Sequence, residues 1–102
     1  MHQISENDAD FEMELLQLLV EDIEPRLELI KVAIAASKFQ QLIQEAHHIK
    51  GASANIGATT MSLAADKLEQ LAYKQERRGT SELIAEIEEV FKQIKSFVRG
   101  CL

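Results

Sequence analysis

An antiparallel up-and-down four-helix bundle is the fold this sequence predicts, on three observations. Apolar residues recur at spacings of three and four along most of the chain, the signature of one buried helix face. The residues that break helices are sparse, with Pro25 the only proline and glycine limited to positions 51, 57, 79 and 100. No alternating strand pattern, internal repeat or low-complexity tract intervenes, so the helical segments are joined by short loops, which make consecutive helices antiparallel neighbours. At 102 residues the chain is expected to form a single domain over 1–102, with one modest core. Aromatic residues are few, so that core should be mostly Leu, Ile, Val, Ala and Met.

Residues 1–7 are expected to fray. Ser5, Asn7 and Asp8 are N-cap candidates, and the acids that follow suit a helix N-terminus. A stripe then runs through Phe11, Leu15, Leu19, Ile23, Leu27, Ile30 and Ile34, and it continues past Pro25. Proline lacks a backbone N–H and clashes with the preceding turn. The N-terminal segment is therefore either one long helix kinked near Pro25 or two nearly continuous helices, 8–23 and 24–36. Met13, Leu16 and Val20 widen the apolar face, as core or as an exposed rim.

Ser37-Lys38-Phe39-Gln40 fits a capping box, with serine three residues before glutamine. It opens a helix over 38–56 whose stripe is Phe39, Leu42, Ile43, Ala46, Ile49, Ser53 and Ile56. Gly57 suits a left-handed helix end. Thr59 or Thr60 opens the next helix, 59–77, with Met61, Ala64, Ala65, Leu68, Leu71 and Ala72 facing inward. Thr80 or Ser81 opens the last, 81–98, with a seam of Leu83, Ile87, Val90, Ile94 and Phe97.

The net charge of −6 argues against nucleic acid as a partner. Acids dominate residues 1–36, where Arg26 and Lys31 are the only bases, whereas bases outnumber acids over residues 38–78. The central segment thus suits an acidic partner site. Cys101 is the only cysteine, so no internal disulfide can form. No apolar run has the length of a membrane span and no signal-peptide pattern opens the chain, so a cytoplasmic, monomeric protein is expected.

One stretch, Ala46 to Gly57, carries the chemistry. It holds His47 and His48, and a glycine at position 51 inside a helix, where glycine costs about 1 kcal/mol relative to alanine. At about 100° per residue, Lys50, Gly51 and Ala54 share a face with His47, and both histidines lie off the centre of the apolar stripe. His47 therefore stands on a bare patch with a cation in reach, open to a reactive group on another protein. A neutral imidazole whose Nδ1 donates its hydrogen keeps a nucleophilic lone pair on Nε2. Glu69, on the next antiparallel helix, is the candidate acceptor.

His47-His48-Ile49-Lys50-Gly51, then Ser53-Ala54-Asn55-Ile56-Gly57-Ala58, then Leu68-Glu69, resembles the histidine-containing phosphotransfer (HPt) domain across nearly the whole chain. The family pattern, roughly H-x-L-K-G, S-A-N-x-G-A and L-E, puts the phosphorylated histidine four residues before the glycine, at His47. Ala65 and Met61 depart from the family's frequent cysteine and leucine, at apolar positions. The resemblance implies that His47 takes a phosphoryl group from the aspartyl phosphate of a response-regulator receiver domain and passes it to another receiver. Lys50 would neutralise phosphoryl charge and Glu69 would orient the ring. Gly51, Ala54 and His48, with the Met13, Leu16 and Val20 rim, would meet the partner. A hybrid sensor histidine kinase is a further partner in such systems.

No glycine-rich phosphate loop or carboxylate cluster suited to magnesium is present, so no cofactor or metal is expected on this chain and the magnesium is expected on the receiver. The chain reads as a phosphocarrier and not an enzyme in its own right. Two other readings are a metal-binding bundle using His47 and His48, disfavoured because adjacent helical residues diverge by about 100°, and a helical adaptor that docks receivers without transfer.

Overall fold

Four helices make up the described residues: α1 (His2–Ala35), α2 (Phe39–Asn55), α3 (Thr59–Tyr73) and α4 (Thr80–Cys101). The structure, a computed structural model, describes the backbone of residues 2–101 and the side chains of residues 13–100. Each helix packs on its neighbours in chain order, and α4 closes back onto α1. This is the up-and-down bundle expected from the apolar spacing. Its extents are 50 × 22 × 18 Å. With 34 residues at about 1.5 Å each, α1 alone spans the long dimension. No helix among the described residues is long and apolar enough to cross a membrane.

α1 is a single helix that passes unbroken through Pro25. Pro25 lies on the exposed face, so the carbonyl that its missing N–H leaves unbonded can turn to water. The helix also takes in residues 2–7, beyond the start expected from the sequence. The side chains of Ser5, Asn7, Asp8 and Phe11 lie outside the described residues, as do those of His2 and Cys101.

The core is Ile23, Leu27, Ile30 and Ala33 from α1, Leu42, Ala46 and Ile49 from α2, Met61, Ala64, Ala65, Leu68 and Ala72 from α3, and Ile84, Ile87 and Phe91 from α4. Fully burying each large aliphatic side chain contributes about 1.5–3 kcal/mol. Alanines concentrate where α2 meets α3: Ala46, Ala64 and Ala65 are at most 1% exposed. Small side chains there let the two backbones approach closely, which bears directly on the site.

Three local expectations are corrected. The first concerns caps. Ser37 does not cap α2; Lys38 occupies that position with no side-chain hydrogen bond. Ser37 instead adopts φ 56° and closes α1, with Ser37 N–H donating to the Ile34 carbonyl and Lys38 N–H to the Ala33 carbonyl. This is a Schellman ending, which satisfies carbonyls the helix would otherwise leave bare. Gly57 (φ 74°) ends α2 in the same way, as expected. Ala58, not Thr59 or Thr60, precedes α3, again without a side-chain cap.

The second correction is the end of α3. It stops at Tyr73, four residues early, because Gln75 takes φ 56° in a third Schellman ending. The third is the face of α4. Ile84, Ile87, Phe91 and Val98 are buried, while Leu83, Val90 and Ile94 are half-buried and Phe97 is 56% exposed. Two apolar stripes overlap on α4, and the inward one begins at Thr80, whose buried hydroxyl donates to the Arg77 carbonyl at 2.6 Å.

Candidate functional site

α2 and α3 set the site between them. Their antiparallel register places His47 opposite Glu69 and Lys50, one turn later in α2, opposite Asp66, one turn earlier in α3. His47 Nδ1–H donates to Glu69 Oε2 at 3.1 Å. A carboxylate can only accept, so the proton belongs on Nδ1 and the lone pair on Nε2. The His47 side chain is 67% exposed whereas that of Glu69 is 9% exposed. The ring is thus anchored at its base and open at its reactive edge.

Glu69 Oε1 lies 2.8 Å from Lys50 Nζ, off the line of an aligned hydrogen bond, so the contact is an ion pair. Lys50 Nζ also donates to Asp66 Oδ1 at 3.2 Å. The contacts with Glu69 first, and Asp66 next, push the Lys50 pKa above the ordinary lysine range. Asp66 Oδ2 in turn accepts from Gln70 Nε2 at 2.9 Å. Ser62 Oγ donates to the Lys50 carbonyl at 3.2 Å, which ties this turn of α2 to α3 a second time. One carboxylate therefore links the imidazole to the ammonium, and a second carboxylate holds the ammonium from the other side.

Gly51 and Ala54 are exposed beside His47. A Cβ added to Gly51 would meet nothing within 4 Å. The bare surface at this turn therefore answers no packing need within the chain, and it leaves the approach to His47 Nε2 clear.

His48 points away. Its Nε2–H donates to Asp22 on α1, and Asp22 also accepts from Arg26, which bridges back to Glu45 of α2 at 2.8 Å. Burial raises the Asp22 pKa, but hydrogen bonds from His48 and Arg26 outweigh it and leave the carboxyl below the ordinary aspartate range. The two histidines thus serve opposite neighbours, His47 toward α3 and His48 toward α1. Their rings diverge and do not converge on one ion.

Met13, Leu16 and Val20 are half-buried, and Val20 packs against the core. The leucines exposed on this part of α1 are Leu15 and Leu18, at 43% and 61%. Leu15 and Leu16 line a small hollow with Asn55 and Ile56 at the C-terminal end of α2. Sequence reasoning did not single out Asp66 or Asp22. Asp66 had a usable signal: it precedes Glu69 by the same three residues that separate His47 from Lys50, so pairing Glu69 with His47 in an antiparallel register already sets Asp66 against Lys50.

The bundle thus holds the His47 imidazole out to solvent with Nδ1 bonded to Glu69, which turns the Nε2 edge of the ring away from that contact. Residues 14–97 match the family model of the Hpt domain, and the chain belongs to that family. It is similar to the phosphorelay intermediate protein rdeA of Dictyostelium discoideum, with 29% identity over 94% of this chain and 39% of that protein. It thus spans well under half the length of that relative. Histidine-containing phosphotransfer protein B (HptB) of Pseudomonas aeruginosa PAO1 has a similar structure, with a TM-score of 0.84, 29% identity, and coverage of 97% of this chain and 86% of that one.

Proposed function

We propose that this domain is a phosphocarrier that takes a phosphoryl group on His47 Nε2 from the aspartyl phosphate of a receiver domain and yields it to the aspartate of another. The observation that carries this reading is the exposed Nε2 of a ring whose Nδ1–H is held by Glu69. In the forward step the Nε2 lone pair attacks phosphorus. The N–P bond forms as the P–O bond to the receiver's aspartate breaks, and that carboxylate leaves with the electron pair. The ring gains positive charge, which the Glu69 carboxylate beside Nδ1–H offsets. Lys50 faces the charge on the phosphoryl oxygens. The return step is the same sequence reversed, and no proton need leave the protein in either direction.

This chain supplies a nucleophile, an orienting acid and a cation. Phosphoryl transfer depends chiefly on positioning and charge neutralisation, and the receiver brings its aspartate and the magnesium that serves it. Gly51 and Ala54 give the receiver clearance. His48 and the apolar residues of α1 near the site, Met13, Leu16 and Val20 together with the more exposed Leu15 and Leu18, offer it a docking surface. A hybrid sensor kinase would be the upstream source of phosphate, and a cytoplasmic setting suits such a relay.

The test is incubation with a phosphorylated receiver domain. Label should reach this chain in an acid-labile, alkali-stable form, as phosphohistidine chemistry requires. It should be lost in His47→Gln and kept in His48→Gln. Label that survives His47→Gln would overturn the assignment.

A further inference from the structure

Asp66 takes no part in the transfer chemistry above, yet it is one of two acids bound to Lys50, and the two differ. Glu69 is nearly buried, lies 2.8 Å from the ammonium, and commits its other oxygen to His47. Asp66 is 38% exposed, makes the longer 3.2 Å contact, and is held in place by Gln70, whose amide fixes the carboxylate without neutralising it. One ammonium thus already serves two carboxylates. A phosphoryl group on His47 is a third claimant, bringing about two negative charges.

We propose, building on the phosphocarrier reading, that Asp66 is a positioning residue that competes with the phosphoryl group for Lys50 and so keeps the phosphohistidine ready to be handed on. While His47 is bare, Asp66 and Glu69 together hold the ammonium one turn from the ring. Once His47 is phosphorylated, Lys50 serves a phosphoryl oxygen at the expense of its weaker, wetter contact, the one with Asp66. The attraction lost in that exchange falls on the phosphorylated state alone. It therefore tilts the transfer equilibrium away from this chain and toward the receiver. An Asp66 that served only as scaffold would have the opposite sign, because its removal would loosen Lys50 and weaken the phosphorylated state.

Asp66→Asn removes the charge and keeps the size and a carbonyl for Gln70. The equilibrium distribution of label between a phosphorylated receiver domain and this chain is the readout, with circular dichroism confirming that the variant is folded. The constant toward phosphorylated His47 should rise about two- to fivefold, the size expected of one exposed ion pair, and the gain should shrink in high salt. Asp66→Glu should return the constant toward the wild-type value. In a Lys50→Ala background the gain from Asp66→Asn should at least halve, since the effect acts through Lys50. An unchanged or lower constant in Asp66→Asn, or a gain undiminished by Lys50→Ala, overturns the proposal while leaving the phosphocarrier reading intact. Wild-type chain that takes no label, or label that persists in His47→Gln, overturns both.

Discussion

Two glycines, one inside α2 and one just past its end, make opposite demands, and a single substitution at each separates them. Gly51 has helical backbone and open space where a Cβ would stand, so Gly51→Ala should raise stability by about 0.5–1 kcal/mol through helix propensity alone. Gly51→Leu should leave the fold intact but slow phosphotransfer about tenfold or more, because its bulk stands where the partner must come. Thermal melting and transfer rates on both variants check this; unimpaired transfer in Gly51→Leu would show that clearance is irrelevant. Gly57 sits at φ 74°, where an L side chain costs about 1–2 kcal/mol, so Gly57→Ala should lower stability by that amount. Lys50→Ala should slow transfer at least about tenfold, the scale of losing one charge-stabilising donor. The motif made His47 and Lys50 legible in the sequence, and helical spacing put Gly51 beside them. Asp66 was not legible in isolation, because a carboxylate at that spacing is as readily a solvated surface group until the register between helices is known.

Helix existence was legible because each helix has a full apolar stripe. Several helix ends were not, because two kinds of signal compete at those boundaries, whereas Gly57 marked the end of α2 and Thr80 the start of α4. Ser37 is a good N-cap residue by type, but the chain uses it to end α1 rather than to begin α2. Gln75 likewise ends α3 although neither its side chain nor its neighbours announce a left-handed residue. These positions hold non-glycine residues at φ 56°, where glycine is free of the Cβ clash. Ser37→Gly and Gln75→Gly should therefore each stabilise the protein, by up to about 1 kcal/mol once glycine's greater unfolded-state entropy is deducted. Denaturant midpoints test the pair, and a loss at either site would mean that its side chain contributes more than its backbone strain costs. α4 shows a different ambiguity. Adjacent apolar residues at 83 and 84, 90 and 91, and 97 and 98 allow two faces, and only the bundle's geometry selects the one carrying Ile84, Phe91 and Val98.

At the scale of the bundle, what positions the site is the antiparallel pairing of α2 with α3 through alanines, and both were legible: the short loop, and small residues at 46, 64 and 65. What was not legible is the way α1 is fastened, since ion pairs between distant segments leave no local pattern. α1 is tied to α2 through Asp22, Arg26 and Glu45, with His48 on Asp22, and to α4 through Lys95 on Glu24 at 2.7 Å and Lys31 on Glu88. Lys95 also lies 5.4 Å from the centre of the Phe91 ring. Hydrogen bonding and charge from Lys95 lower the Glu24 pKa, as His48 and Arg26 lower that of Asp22 against the opposing effect of burial. The sign follows from linkage. A carboxyl whose pKa is lower in the folded state contributes stability that is present above its unfolded pKa and is lost as pH falls through the folded value. The fastenings through Asp22 and Glu24 should therefore weaken from about pH 4 downward, while the apolar core stays as it is. Both carboxyls are well exposed, so each contribution is modest and screened by salt. In Asp22→Asn with Glu24→Gln, the fall in melting temperature between about pH 5 and about pH 3 should become shallower than in the wild type, and added salt should narrow the difference. An acid limb as steep in the double variant would place the acid sensitivity elsewhere than in the contacts that hold α1 to the bundle.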